Sequence, residues 1–370
     1  MEVAIMGAGL AGLSCAITLE KHGITPTIFE KRSSVGDRFV NGEAMFSIFD
    51  RPVKDSISYL AQNYHIKLNT IDEVDKLFIH SKNEIGTIEG KIGYLNVRGR
   101  QKDSFENQLR DQVKTYINYN STCEYEELCK NFNHVVLATG DGEYASRLDN
   151  YNSNLTCTIK GVTVQGEFVT SNPHVFFNYD IIPKGYGWLI PFTEKEANLV
   201  MAYPDYPENI KLDINEMWEK YYSLACNKLD QNFKITDNFE ITRYMMGICN
   251  KAKIDNTYFT GNCFGTISPG MGFGQFASIL TGIYSAQDIC GVGYYEELTK
   301  PLFENYNHSL YFRRFLEGLT DEKIDAGVKG LDVKVLSKLV DAICSDKSGI
   351  DILKLVTGAT HVASGKFKLS

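Results

Sequence analysis

The start of the chain alternates between short apolar runs and an amphipathic segment. Residues 2–6 form an apolar run of the kind found in buried parallel strands, and residues 12–22 place apolar side chains on one helical face. Gly23 follows as a candidate C-cap, and residues 27–29 form a second apolar run. This order predicts a strand, a covering helix and a second strand, which together make a β–α–β unit.

Later segments switch between helical and strand periodicity. The pattern predicts a helix over 103–116 and a buried strand over 135–138, and later a strand over 258–260 and a helix over 274–289. Between these pairs, short β-prone runs separated by turn residues predict an antiparallel sheet. The runs lie at 162–164, 175–177, 187–192 and 199–202.

Composition restricts the classes of partner. A chain of 370 residues that is 43% hydrophobic and 23% charged is long enough for two domains or for one domain with a large insertion. A net charge of −8 argues against a nucleic-acid surface, and no apolar run reaches the length of a membrane span. The nine cysteines form no C-x-x-C pair, and the first residues do not resemble a signal peptide. We therefore expect a cytoplasmic protein with reduced thiols, no metal site, no nucleic-acid partner and at most transient contact with a membrane surface.

A G-x-G-x-x-G pattern directly follows the first predicted strand. Its first glycine is suited to a tight turn, its second lets the backbone approach a pyrophosphate, and its third lets helix and strand pack closely. The positive end of the helix then faces the anion, and an acidic residue after the second strand is expected to accept hydrogen bonds from ribose hydroxyls. The unit therefore predicts dinucleotide binding through Gly7, Gly9, Leu10, Ala11, Gly12 and Glu30.

Cations near this unit are further candidate contacts to the cofactor, namely Lys31, Arg38 and Arg98. Arg38 follows a glycine turn, where it could reach the pyrophosphate or the adenine side, and the alternative is a solvated surface arginine. Arg98 and Arg100 precede the helix predicted over 103–116 and are open to the same two interpretations.

A second glycine-rich segment precedes the helix predicted over 274–289. Its small residues let backbone N–H groups approach a ligand without interference from Cβ atoms. A cofactor that reaches both glycine segments is long, so the pair of segments indicates FAD. The residues assigned to it here are Gly261, Asn262, Gly272 and Gly274, together with Asp141 in the turn after the strand at 135–138, where ligands of α/β sheets bind.

These motifs define the predicted architecture. We predict an α/β fold in which a Rossmann-like FAD-binding domain is interrupted by an antiparallel-sheet substrate domain and is followed by a C-terminal helical region. The helical region carries apolar stripes over 335–343 and 350–356. The predicted bounds are 1–155 with 246–295 for the FAD-binding domain, 156–245 for the substrate domain and 296–370 for the helical region.

One predicted strand of the sheet domain has an aromatic face. Alternation places Tyr186, Trp188 and Ile190 on the same side of the strand. Two interpretations remain open at this point. The face forms either a lipophilic substrate pocket against the flavin or part of an ordinary sheet core.

The order of these motifs resembles FAD-dependent oxidoreductases of the geranylgeranyl reductase family, within the para-hydroxybenzoate hydroxylase-like flavoproteins. The resemblance covers roughly residues 1–295 and includes the Asp141-Gly142 turn and the sheet motif over 186–191. It implies that the first glycine segment binds the ADP half of FAD and that the late block contacts the ribityl chain and pyrophosphate. It also implies that the aromatic face lines the substrate cavity, and that hydride from flavin N5 reduces isolated C=C bonds of polyprenyl chains.

Two residues depart from the family pattern. Asn262 stands where the late block usually has aspartate, and an amide there would still bond a ribityl hydroxyl but without the negative charge. Asn41 stands where the family often has a cysteine, which makes it a candidate substrate-pocket residue beside Tyr186 and Trp188. A different substrate is one consequence of that change.

Three hypotheses follow for the activity. The first is an FAD-dependent reductase of C=C bonds in a hydrophobic small molecule, reduced by NAD(P)H or by a ferredoxin-like electron donor because the chain has no second nucleotide motif. The second is a flavin monooxygenase or a halogenase-like enzyme acting on an aromatic substrate. The third is a non-catalytic flavin-binding protein. No Ser–His–Asp set is evident, so the catalytic residues are left unassigned and the flavin would carry the chemistry.

Overall fold

The computed structural model of the chain describes residues 1–331. Its strands are β1 (Val3–Met6), β2 (Thr27–Phe29), β3 (Asn41–Phe46), β4 (Asp72–Glu73), β5 (Lys76–His80), β6 (Ile85–Glu89), β7 (Gly93–Arg98), β8 (Ile117–Asn118), β9 (His134–Leu137), β10 (Tyr151–Gln165), β11 (His174–Phe176), β12 (Tyr186–Pro191), β13 (Glu196–Pro204), β14 (Lys234–Cys249), β15 (Lys253–Ile254) and β16 (Thr257–Phe259). Its α-helices are α1 (Leu10–Lys21), α2 (Ser56–Tyr64), α3 (Phe105–Arg110), α4 (Tyr125–Asn131), α5 (Glu143–Arg147), α6 (Ile214–Leu229), α7 (Gln275–Ile289), α8 (Tyr295–Glu317) and α9 (Asp321–Gly330).

The helical prediction for the C-terminal region is confirmed by α8 and α9 as far as the structure describes it. The apolar stripes predicted over 335–343 and 350–356 lie outside the described residues. Among residues 1–331, no helix combines the length and the apolar character needed to cross a membrane.

A six-stranded sheet in the order β15-β16-β9-β1-β2-β8 carries the predicted nucleotide-binding unit. All of its pairs are parallel except β15 with β16. Because β1, β2, β9 and β16 run in the same direction, the residues that follow them all lie at one edge of the sheet. This edge brings together Gly7, Glu30, Asp141 and Gly261, so the predicted Rossmann-like fold is confirmed.

A seven-stranded sheet in the order β14-β10-β13-β12-β11-β5-β6 forms the second layer. It is antiparallel except between β11 and β5, and the strands predicted from 162 to 202 all lie in it. The helix α6 packs on one face through Trp218 and Tyr221. The sequence pattern did not indicate α6, nor the strands β5 and β6, which carry residues 76–89 into this sheet. The domain bounds stay a prediction.

A small antiparallel sheet in the order β3-β7-β4 contacts β12 and β13 of the seven-stranded sheet through β3, and contacts α3 through β7. Alternation along β3 buries Gly42 and Ala44 against β12, where a Cβ on Gly42 would lie 2.9 Å from the side chain of Ile190. Asn41 and Glu43 therefore face the other way, toward the nucleotide-binding layer.

The helix predicted over 103–116 is shorter than expected. It ends at Arg110. The N–H groups of Gln112 and Val113 then bond to the carbonyl oxygens three residues earlier, instead of four residues earlier as in an α-helix. Beyond them, the carboxylate of Glu20 accepts the N–H groups of Lys114 and Thr115 at 2.7–3.0 Å. The Glu20 side chain of α1 thus takes the place of the carbonyl oxygens that would accept these N–H groups in a longer helix. The chain then continues into β8.

A buried histidine, His80, and a half-buried histidine, His174, meet where β5 and β11 run side by side. His80 Nε2 and His174 Nδ1 are 3.0 Å apart, and the two rings stack with Phe78 and Phe176. Burial lowers the pKa of His174 to about 4, and burial together with the neighbouring His174 lowers the pKa of His80 to about 3. Both imidazoles are therefore neutral in the folded protein at neutral pH.

This pair is expected to make the fold sensitive to acid. An unfolded histidine takes up a proton below about pH 6.5, whereas the folded pair does not, so stability is lost as the pH falls below that value. Between pH 7.5 and 5.5 the expected loss is about 1.3 kcal/mol for each histidine. The double variant His80→Phe/His174→Phe should lose less stability than the wild type over this interval in urea unfolding followed by circular dichroism. The exposed His22→Gln serves as a control, and equal losses in all three proteins would contradict the prediction.

Candidate active site at the edge of the parallel sheet

The three glycines after β1 have separate roles in the structure. Gly7 has a φ of +109°, and a Cβ there would lie 2.2 Å from the carbonyl oxygen of Ala138. A Cβ on Gly12 would lie 2.0 Å from the Gly7 oxygen, so this glycine lets α1 pack closely on the turn. A Cβ on Gly9, in contrast, would meet no protein atom within 4 Å. Gly9 therefore faces open space at the start of α1, where a ligand can approach the backbone.

Two helices begin at this edge without a side-chain cap. Gly9 precedes Leu10 and Ala11 at the start of α1, and Gly274 precedes Gln275 at the start of α7. Uncapped first-turn N–H groups and the positive end of the helix dipole favour anionic or electron-rich ligand atoms. The helices pack together, since a Cβ on Gly282 of α7 would lie 2.0 Å from the Ala11 oxygen. The two glycine segments are therefore neighbours in space.

The acidic residue after β2 is buried at the glycine turn. Glu30 accepts the N–H of Ala8 at 2.8 Å and the N–H of Arg32 at 2.9 Å, and it is 9% exposed. These bonds fix the carboxylate beside the turn. Lys31 is exposed, and its charge acts on Asp141 across the edge of the sheet. Contacts of Glu30 and Lys31 with a cofactor stay predictions.

The turn after β9 is joined to the late glycine segment by an amide. Asn262 Nδ2 donates to the Gly140 oxygen at 3.1 Å and to the Tyr244 hydroxyl at 2.8 Å, while its Oδ1 accepts from Thr266 at 3.1 Å. An aspartate at this position would lose both donated bonds and would place a carboxylate oxygen against the Gly140 carbonyl. The departure from the family pattern therefore has a structural reason. Burial raises the pKa of the neighbouring Asp141, although the Glu143 N–H and Lys31 partly offset the effect.

Replacing Asn262 with aspartate is expected to destabilise the fold. The Tyr244 hydroxyl would lose its donor, and the Gly140 oxygen would keep only the Tyr244 hydroxyl of its two donors. This corresponds to a loss of about 1–3 kcal/mol in the free energy of unfolding. Urea unfolding of Asn262→Asp and of the wild type measures this loss. Asn63→Asp, on an exposed part of α2, is the control, and its free energy of unfolding should change by no more than about 0.5 kcal/mol. If Asn262→Asp is as stable as the control, the amide does not hold the two segments together.

The two arginines predicted as cationic contacts, Arg38 and Arg98, are paired with acidic side chains. Arg98 Nε lies 2.9 Å from Glu106 Oε1 and its Nη1 lies 3.3 Å from Glu43 Oε2. Arg38 lies 3.5 Å from Glu106 and 3.8 Å from Glu43, so the four side chains form one ionic cluster. Arg100 is instead paired with Asp237 of β14. Direct contact of Arg38 or Arg98 with a cofactor stays a prediction.

The aromatic face predicted on β12 lies against the loop before α7. The rings of Tyr186 and Trp188 are 5.4 Å apart, and Trp188 and Ile190 pack in one apolar cluster with Phe273. The Tyr186 hydroxyl donates to the Met271 oxygen at 2.6 Å. A Cβ on Gly272 would lie 3.7 Å from that hydroxyl, so the loop passes close to the wall. The predicted substrate wall and the second glycine segment are thus brought together.

Four residues of this site were not singled out from the sequence, namely Glu43, Glu106, Tyr244 and Gln275. Glu43 carried a signal, because it follows Asn41 by two residues and so shares its strand face. The other three reach the site only through tertiary packing. Within residues 1–331, no group of three or more acidic, histidine or cysteine side chains is arranged to hold a metal ion.

Comparisons with known proteins agree with this geometry. Residues 5–65 match the family model of the NAD(P)-binding Rossmann-like domain. A segment of 114 residues is 28% identical to one component of the ferredoxin:CoB-CoM heterodisulfide reductase from Methanosarcina mazei. That match spans 30% of this chain but only 13% of the relative.

Two solved structures match nearly the whole chain, and a third matches about four fifths of it. A geranylgeranyl bacteriochlorophyll reductase-like protein from Thermoplasma acidophilum has a TM-score of 0.67 at 16% identity, covering 97% of this chain and 95% of its own. The chain has the fold of the FAD-dependent oxidoreductases. A flavin-dependent brominase has a TM-score of 0.63 at 14% identity, with coverage of 99% and 100%. An aklavinone-11 hydroxylase solved with FAD and aklavinone has a TM-score of 0.54 at 14% identity, with coverage of 79% and 62%. The predicted flavoprotein fold is therefore confirmed.

Proposed function

We propose that this chain is an FAD-dependent oxidoreductase that reduces a C=C bond of a hydrophobic, isoprenoid-like substrate. The observation that carries the proposal is the apolar wall of Tyr186, Trp188 and Ile190, which lies directly against the loop before α7. Such a wall suits a substrate without polar groups at the reacting bond. NAD(P)H or a ferredoxin-like protein is the proposed electron donor.

The residues at the sheet edge fit an FAD molecule. The open space at Gly9 and the uncapped start of α1 suit the pyrophosphate, and Glu30 lies at the position for a ribose. The loop from Gly270 to Gly274 and the uncapped start of α7 suit the isoalloxazine ring. When bound, FAD supplies the hydride for reduction of the substrate.

The side chains around this ring position the substrate and exclude water. Tyr186 holds the loop through its bond to the Met271 oxygen, and burial raises the pKa of its hydroxyl, which therefore stays protonated. Trp188 and Phe273 supply apolar surface on which an alkene can lie. Saturation of the alkene needs a proton in addition to the hydride, and a nearby tyrosine or water is the proposed source.

Anaerobic titration of the purified holoenzyme tests this function. The bound flavin is reduced with one equivalent of dithionite, and farnesol or its fully saturated analogue is then added while the flavin absorbance is followed. We expect farnesol to reoxidise the flavin with formation of a product two hydrogens heavier, and the saturated analogue to leave the flavin reduced. Reduced flavin that persists with farnesol and with longer polyprenyl alcohols would contradict the reductase proposal.

The fold shared with a flavin-dependent brominase favours one alternative, a monooxygenase or halogenase-like reaction on an aromatic substrate. In that case the reduced protein would consume O2 and hydroxylate or halogenate a phenol. The same preparation distinguishes the two activities when O2 and a phenol replace the alkene. Reduced flavin that reacts productively with neither substrate would favour a non-catalytic flavin-binding protein.

A further inference from the structure

Two amide oxygens, one at the start of α7 and one at the start of β3, are buried without a partner in the described part of the chain. Asn41 Oδ1 and Gln275 Oε1 accept no hydrogen bond from any residue in the range 1–331, and Gln275 is 6% exposed. Leaving a buried acceptor unsatisfied costs about 1–3 kcal/mol, so such groups in a native protein call for a physical reason. Two such acceptors, whose amides both bind the Glu43 carboxylate, indicate a place where a ligand supplies hydrogen-bond donors.

The orientation of both amides is set by one carboxylate. Asn41 Nδ2 donates to Glu43 Oε1 at 2.9 Å, and Gln275 Nε2 donates to Glu43 Oε2 at 2.5 Å. An ionised carboxylate only accepts hydrogen bonds, so rotating either amide would bring two oxygens together. Both amide oxygens must therefore point away from Glu43.

The Glu43 carboxylate belongs to the ionic cluster described above. Arg98 and Arg38 lie 3.3 Å and 3.8 Å from its carboxylate. Burial disfavours the charge on Arg98, but Glu106 and Glu43 outweigh burial and raise its pKa. Through its bonds to both amides, Glu43 is a positioning residue for them.

The location of the pair connects it to the proposed flavin site. Gln275 is the first residue of α7 and directly follows the glycine loop, while Asn41 is the first residue of β3. An oxidised isoalloxazine ring has a single N–H donor, and two-electron reduction adds further N–H groups. Unpartnered acceptors beside the ring are therefore better satisfied by the reduced form.

We infer that Asn41 and Gln275 form an acceptor pair that hydrogen-bonds the N–H groups of the reduced flavin and so raises its midpoint potential. This inference rests on the proposed binding of FAD. A raised potential means that the flavin of this chain is easily reduced. The inference also gives Asn41 a role in setting the flavin potential, at the position where the resembling family often has cysteine. The pair acts on the equilibrium between the two flavin states and does not require a particular substrate.

The midpoint potential of the bound flavin tests the inference without an activity assay. Asn41→Leu and Gln275→Met remove each acceptor with little change in side-chain size. Each should shift the equilibrium about tenfold toward oxidised flavin, which lowers the potential by about 30 mV for a two-electron couple. The exposed neighbours Gln62→Met and Asn63→Leu on α2 are matched controls and should leave the potential unchanged.

The outcomes separate this inference from the proposed function. A wild-type protein that binds no FAD contradicts the proposed function itself. Variants that bind FAD with the wild-type potential overturn the acceptor pair while leaving the proposed function intact. For a variant that binds flavin too weakly for titration, the ratio of the dissociation constants of oxidised and reduced FAD gives the same shift. An unchanged ratio also overturns the inference.

Discussion

Valine at position 9 is expected to abolish FAD binding while the protein stays folded. Gly9 has φ −88° and ψ −167°, an extended conformation that valine adopts readily, and its Cβ would meet no protein atom within 4 Å. The added atoms would instead occupy the space proposed for the pyrophosphate. We expect the dissociation constant for FAD to rise at least about a hundredfold, the equivalent of roughly 2.7 kcal/mol.

Isothermal titration of the apoprotein with FAD measures this effect, and circular dichroism verifies the fold. The matched control is Gly327→Val, because a Cβ there also meets no protein atom within 4 Å but lies on α9, away from the sheet edge. The control should bind FAD like the wild type. Unaltered FAD affinity in Gly9→Val would mean that the cofactor does not approach this turn.

Replacing Glu106 with glutamine is expected to have the largest effect on stability. Its side chain is only 4% exposed and pairs with Arg98 at 2.9 Å and with Arg38 at 3.5 Å. Burial opposes its charge, but the two arginines outweigh burial and hold the pKa of Glu106 below its usual value. Neutralising it leaves two half-buried guanidinium groups to share Glu43, and we expect a loss of about 3–5 kcal/mol in the free energy of unfolding.

Guanidinium unfolding monitored by fluorescence gives the difference. Glu216→Gln is the comparison, since Glu216 pairs with Lys220 at 2.7 Å on an exposed face of α6. That surface pair should contribute no more than about 0.5 kcal/mol. Similar losses in the two variants would show that the buried cluster contributes no more than an ordinary surface ion pair.

Local patterns predicted which segments meet at one half of the candidate site. The turn at Gly7, the acid at Glu30 and the late segment at Gly261 each follow an apolar run, and parallel pairing necessarily brings the ends of such strands to one edge. Alternation along β12 likewise placed Tyr186 and Trp188 on one face, because side-chain direction in a strand depends only on position parity.

The other half depends on contacts between segments far apart in sequence. Glu106 reaches Arg98 only because α3 packs beside β7, and Gln275 reaches Glu43 only because α7 begins next to β3. Neither contact leaves a periodic signal. The strand β5 was missed for a similar reason, since it joins the sheet by pairing with β11, from a distant segment, and β6 joins only through its pairing with β5.

The interrupted sheet also determines the order in which the protein can fold during synthesis. The strand β9 must pair with β16, yet the ribosome makes the whole of β10 to β14 between them. A nascent chain that ends before β16 also lacks α7. In the folded protein α7 covers α1, and the Ser14 hydroxyl of α1 donates a hydrogen bond to the Ile279 oxygen of α7. The parallel sheet therefore stays incomplete, with α1 uncovered by α7, until the antiparallel sheet has been synthesised, and cofactor binding is expected to follow late in synthesis.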